Sequence, residues 1–102
     1  MGKFVKVAQK KDLPEGKVIG VELEGKRIAL FHVNDQFYAL NDECSHASGP
    51  LSEGSLDGTV VTCPWHGAGF DITNGQATCA PAEDGVKSYN IQVDGDDIKI
   101  EI

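Results

Sequence analysis

The clearest pattern along the chain stands at its end, where Ile98, Ile100 and Ile102 interleave with Asp97, Lys99 and Glu101. A two-residue period sends successive side chains to opposite faces, the mark of a strand with one face buried. Runs rich in β-branched and aromatic residues predict further strands at Phe4–Ala8, Val18–Glu24, Arg27–Val33, Gln36–Leu40, Thr59–Thr62 and Val86–Val93. Glu24-Gly25, Asn34-Asp35 and Asp94-Gly95 each stand between neighbouring runs, as hairpin turns do, and Asn74-Gly75 reads as a fourth turn. Leu13-Pro14-Glu15-Gly16 reads as a loop, preceded by one helical turn at most. No amphipathic helix, repeat or linker interrupts the pattern. The expectation is one all-β domain over residues 1–102, a small antiparallel β-sandwich or barrel.

Two segments do not follow the strand pattern, Asp42–Gly58 and Cys63–Gly69, and both carry metal-binding side chains. The first holds Cys44-Ser45-His46 and the second Cys63-Pro64-Trp65-His66, giving C-x-H, sixteen residues, then C-x-x-H. Two sulfur and two nitrogen ligands suit tetrahedral zinc. Zinc modules, however, usually pair their cysteines two to four residues apart and their histidines separately. Here each segment mixes one Cys with one His. That division fits a larger two-iron core gripped from opposite sides, although a structural zinc module stays open on these residues alone.

Composition narrows the classes further. At 102 residues, 40% apolar and 25% charged, the chain suffices for one modest core and rules out disorder, collagen and coiled coil. No apolar run approaches the roughly 18 residues of a membrane span, and the N-terminus shows no export signal, so the expected address is the cytoplasm. Three cysteines, Cys44, Cys63 and Cys79, are an odd number that argues for metal binding or catalysis over a disulfide framework. The net charge of −7 is unevenly spread: residues 28–86 contain eight acids and no Lys or Arg. Such a stretch is a poor ligand for nucleic acid or anionic lipid; on charge alone it fits either docking to a basic protein patch or acidity that simply keeps a small protein in solution.

Cys44-Ser45-His46 with Cys63-Pro64-Trp65-His66-Gly67 resembles the box of Rieske [2Fe–2S] proteins, and Leu51-Ser52-Glu53-Gly54, Phe70-Asp71, Asn74-Gly75 and Pro81-Ala82 extend the likeness over essentially the whole chain. The resemblance implies an antiparallel β-sandwich with an inserted two-loop cluster-binding subdomain and one [2Fe–2S] cluster per chain. It implies Cys44 and Cys63 as ligands of the inner iron and His46 and His66 as ligands of the outer iron through Nδ1. Two thiolates and two neutral imidazoles leave the site less negative than four thiolates would, which raises the reduction potential.

Two departures place the chain within that family. Respiratory Rieske proteins carry an extra cysteine in each loop, and here Gly49 and Trp65 stand in those places. Those proteins also use a Ser and a Tyr to donate hydrogen bonds to the sulfurs, where this chain has Ala68 and Phe70. Fewer donors mean a lower potential, as in soluble ferredoxins of ring-hydroxylating oxygenases. The implied role is that of a monomeric carrier taking one electron from an NAD(P)H-dependent flavin reductase to a terminal oxygenase, with no substrate turnover of its own. A small Rieske subunit of a larger reductase, such as nitrite reductase, is the alternative within the fold, and a redox sensor using Cys79 is another class. Gly67 and Gly69 read as supports for close backbone approach to the sulfurs, and Pro81 resembles a shielding loop. Cys79 reads as a spare buried thiol, Trp65 as packing and His32 as structural.

Overall fold

The uninterrupted apolar run Ile28-Ala29-Leu30-Phe31 marks a strand covered on both faces, and the fold is organised around it. The structure, a computed structural model, describes residues 3–42, 51–62, 69–79 and 85–101. In chain order their strands are β1 (Phe4–Gln9), β2 (Val18–Leu23), β3 (Lys26–Val33), β4 (Gln36–Asn41), β5 (Ser55–Asp57) and β6 (Val60–Thr62). β7 (Gly69–Asp71), β8 (Ala77–Cys79), β9 (Ser88–Tyr89), β10 (Ile91–Asp94) and β11 (Asp97–Glu101) follow. Single 3-10 turns stand at Lys10–Asp12 and Leu51–Glu53. No helix among the described residues is long and apolar enough to cross a membrane.

The strands form three antiparallel sheets in the orders β1-β11-β10, β2-β3-β4-β9 and β5-β6-β7-β8. β2-β3-β4-β9 is the middle layer. From β3, Ile28 and Leu30 join Leu13, Ala39, Ile98 and Ile100 in one core against β11. Ala29, Phe31 and Val33 turn the other way and pack with Leu40, Leu51, Val61, Phe70 and Ile72 in a second core against the β5–β8 sheet. Each large side chain so buried contributes about 1.5–3 kcal/mol. The family-like architecture expected from the sequence is therefore present, a sandwich with a small sheet added on one face.

Hairpin turns hold the registers. β2 and β3 meet at Leu23↔Lys26 around Glu24-Gly25, and β3 and β4 at Val33↔Gln36 around Asn34-Asp35. All four turn residues have positive φ, from 51° to 80°, as two-residue type I′ turns require. Asn34 and Asp35 adopt this backbone with outside help: Glu15 accepts the Asn34 N–H at 2.7 Å and the Asp35 N–H at 3.0 Å. The ring of His32 stacks on Phe37 with centroids 4.1 Å apart, and its Nδ1–H donates to the Leu13 carbonyl oxygen at 2.9 Å. A carbonyl oxygen only accepts, so this bond fixes the proton on Nδ1.

Three differences from the sequence pattern concern the small sheet and the last third. The segment Asp42–Gly58 is not strand-free: it contains Leu51–Glu53 and β5. β7 and β8 are three-residue strands in which polar residues and Gly69 dilute the alternation. The expected strand Val86–Val93 begins only at Ser88 and breaks at Asn90, whose carbonyl instead accepts the Glu101 N–H.

Candidate metal centre

The four candidate ligands, Cys44, His46, Cys63 and His66, lie outside the described residues, as do Gly49, Trp65, Gly67, Ala68, Pro81 and Ala82. What the structure describes is how their segments are rooted. The first, 43–50, leaves Asp42 and returns at Leu51, where the Leu51 N–H donates to the Asp42 carbonyl at 2.6 Å. The second, 63–68, leaves Thr62 and returns at Gly69, and these two residues are partners in the β6–β7 ladder. A third, 80–84, leaves Cys79, which is paired with Gly69 across β7 and β8.

These roots lie together. Ser55↔Thr62, Thr62↔Gly69 and Gly69↔Cys79 form one row across the end of the small sheet. The first segment is joined to that row by the turn Leu51–Gly54, where the Gly54 N–H donates to the Leu51 carbonyl at 3.0 Å. Gly54 sits so close to β6 that a Cβ there would overlap the Thr62 carbonyl oxygen. The residue closing the first segment's turn thus touches the residue from which the second departs. Gly69 is a buried ladder residue rather than a turn glycine, and Phe70 beside it is fully buried.

The root of the first segment is tied by side chains as well. Asp42 is the one buried charged residue among those described. Its Oδ1 accepts the Ser52 N–H at 2.7 Å and its Oδ2 accepts the Ser52 hydroxyl at 2.9 Å. Arg27 Nη2 stands 3.8 Å from Oδ2, and the Asp42 N–H donates to the Arg27 carbonyl at 2.9 Å. Nothing in the hydrophobic pattern marks Asp42 or Ser52; Ser52 belongs to the Leu51-Ser52-Glu53-Gly54 stretch of the family likeness, and Asp42 is in the sequence only an acid near a cysteine.

The donor set tests the fit of a metal centre here. Two thiols and two imidazoles, one of each on two segments, one departing from the end of the small sheet and the other joined to that end through the Leu51–Gly54 turn, match a two-iron core with mixed ligands. A second grouping, Glu15, His32 and Asp35, brings ligand atoms within 4.8 Å of one another. Two of its groups are already engaged: both Glu15 oxygens accept backbone N–H groups, and His32 Nε2 lies 3.4 Å from Glu15 Oε1. That arrangement ties the Leu13–Gly16 loop to the β3–β4 turn. The hydrogen bond from Asp35, then that from Asn34, holds the Glu15 carboxyl below its ordinary range, with the His32 charge adding in the same direction.

Comparison with known proteins agrees with this geometry. A family model described as the Rieske [2Fe–2S] domain matches residues 3–90. The ferredoxin component of a naphthalene 1,2-dioxygenase system from Pseudomonas aeruginosa is 37% identical over 91 residues, covering 89% of this chain and 88% of that protein. A 3-phenylpropionate/cinnamic acid dioxygenase ferredoxin subunit from Shigella flexneri serotype 5b (strain 8401) is 44% identical over 92 residues, covering 89% and 86%. Among solved structures, a complex of reduced oxygenase and oxidized ferredoxin in carbazole 1,9a-dioxygenase matches with a TM-score of 0.91 at 32% identity, covering 96% of this chain and 92% of that one.

Proposed function

The chain belongs to the Rieske [2Fe–2S] domain family, and on that premise we propose that it is the ferredoxin of a ring-hydroxylating oxygenase system. It carries electrons to a terminal oxygenase and is not itself the catalyst. The observation that carries this reading is the proximity of the two roots: the 63–68 segment departs from the Ser55–Thr62–Gly69–Cys79 row, and the 43–50 segment is joined to that row by the Leu51–Gly54 turn. Relatives of nearly the same length that serve as ferredoxin components of dioxygenase systems support it.

When bound, a Rieske cluster supplies one-electron redox chemistry at a potential above that of four-thiolate centres. Cys44 and Cys63 would hold it through sulfur, and His46 and His66 through imidazole nitrogen. The chain's own role is to fix the roots of both segments, beside which Leu51, Val61 and Phe70 are buried in the core. Two neutral imidazoles keep the ligand shell less negative than four thiolates, which favours accepting the electron. The donor in this scheme is an NAD(P)H-dependent flavin reductase, and the working compartment is the cytoplasm, where free thiols persist. The acidic run suits partners that present basic residues near the transfer surface.

The test is spectroscopic and then kinetic. The purified protein should contain two irons and two sulfides per chain, by the cluster's formula, and give a [2Fe–2S] EPR signal after dithionite. Cys44→Ser and His66→Ala should each abolish it. Reduced protein should be reoxidised on mixing with a terminal ring-hydroxylating oxygenase. A colourless protein that binds a single zinc would overturn the reading.

A further inference from the structure

Asp42 is a buried charge that neither the hydrophobic pattern nor the implied ligand set requires. Taking a carboxylate out of water costs several kcal/mol unless its oxygens are well satisfied, so its position calls for an explanation. The residue stands at the exit of β4, two positions before Cys44, a reach of roughly 7 Å of extended chain at most. Across the eight-residue excursion 43–50 it makes three bonds: from Leu51 N–H to its carbonyl, and from Ser52 N–H and Ser52 Oγ–H to its two carboxylate oxygens. β2 makes room for this contact, because a Cβ on Gly20 would stand 2.8 Å from Ser52 Oγ and 3.2 Å from Asp42 Oδ2. Arg27, largely exposed and 3.8 Å away, offsets the charge incompletely.

Resting on the ligand reading above, we propose that Asp42 is a positioning residue of the redox centre. Through Ser52 it clamps the segment bearing Cys44 and His46, and its negative charge at the root of that segment opposes the arrival of an electron. The clamp explains the bonding. The charge explains why a carboxylate serves where an amide would fit. Asn in this place accepts the Ser52 N–H through Oδ1 and donates from Nδ2 to the Ser52 hydroxyl oxygen, so it keeps the clamp and removes only the charge.

Three variants separate the two contributions. Asp42→Asn should retain the full iron and sulfide content and shift the midpoint potential upward in voltammetry. Asp42→Ala and Ser52→Ala should release iron to a chelator several-fold faster than wild type, and Asp42→Asn should restore the wild-type rate. The proposal is overturned if Asp42→Asn leaves the potential unchanged or lowers it, or if Asp42→Ala loses iron no faster than wild type. The Cys44→Ser variant keeps this distinct from the ligand reading. If it retains the [2Fe–2S] signal, the ligand reading fails and the clamp's redox role falls with it. If it loses the signal while the Asp42 variants match wild type, the clamp alone fails.

Discussion

Glu15 Oε1 lies 3.4 Å from His32 Nε2 while accepting the Asp35 N–H at 3.0 Å. One exposed carboxylate therefore stands against the imidazole of β3 and binds the turn that follows it. The two turn residues it serves, Asn34 and Asp35, have φ of 54° and 63° without being glycine, a backbone that costs about 1–2 kcal/mol per residue.

This relationship makes some of the stability acid-sensitive. The folded-state pKa of Glu15 is lowered, so its contribution is complete above the ordinary glutamate pKa of about 4.3 and is lost as pH falls through the folded value. Thermal melts from neutral to acid pH should show wild type above Glu15→Gln at pH 7, with the gap closing below pH ~4. Parallel curves would show that the carboxylate is uncoupled from the turn.

The two cores predict two classes of destabilised variant. Leu51→Ala and Ile98→Ala each remove a fully buried side chain and should each cost about 2–5 kcal/mol in urea unfolding. Leu51 packs beneath the small sheet and directly follows the Cys44 segment, whereas Ile98 lies in the opposite core. Under native conditions only Leu51→Ala should lose iron faster than wild type. Equal rates would mean that the middle sheet transmits damage between the cores.

A methyl group at position 54 has nowhere to go. Because its Cβ would overlap the Thr62 carbonyl oxygen, Gly54→Ala must push the Leu51–Gly54 turn off β6. We expect a loss of about 1–3 kcal/mol, the usual range for overpacking, together with faster amide exchange at Ser55 and Thr62. At Gly58, where the same Cβ would meet open space, φ is +61°, so Gly58→Ala should cost stability through backbone strain and leave the Ser55–Thr62 exchange unchanged.

Phe70→Tyr tests the implied tuning of the potential. The ring is fully buried on β7, one residue after Gly69, where respiratory Rieske proteins place a sulfur-directed Tyr. The added hydroxyl should raise the midpoint potential by donating to a sulfur. A stability loss of about 1–3 kcal/mol with unchanged potential would place the hydroxyl unpaired in the core.

How much of this was legible in the sequence differs by element. β3, β4 and β11 follow from their apolar runs and alternation because long buried strands leave a periodic trace. The small sheet does not: Ser55–Asp57 and Gly69–Asp71 are three residues each, too short for a period, and their pairing is set by turns and by Gly54 fitting against Thr62. Cys44, His46, Cys63 and His66 stood out because ligand chemistry demands rare residue types at set spacings. Asp42 was hidden in the acidic run, where charge alone suggested a docking surface, and its burial withdraws it from that surface. A clamp made by one carboxylate on a serine ten positions away has no periodic or compositional signature.

The row Ser55–Thr62–Gly69–Cys79 has a further meaning for a protein that works by gaining and losing an electron. The speed of such an exchange is limited by how far nuclei must move between the two charge states. The segments beginning after Thr62 and Cys79 cannot separate at their origins without breaking ladder hydrogen bonds, and the Leu51–Gly54 turn is held against the same row. A foundation tied in this way resists displacement, and resistance to displacement is what keeps the reorganisation energy of an electron transfer low.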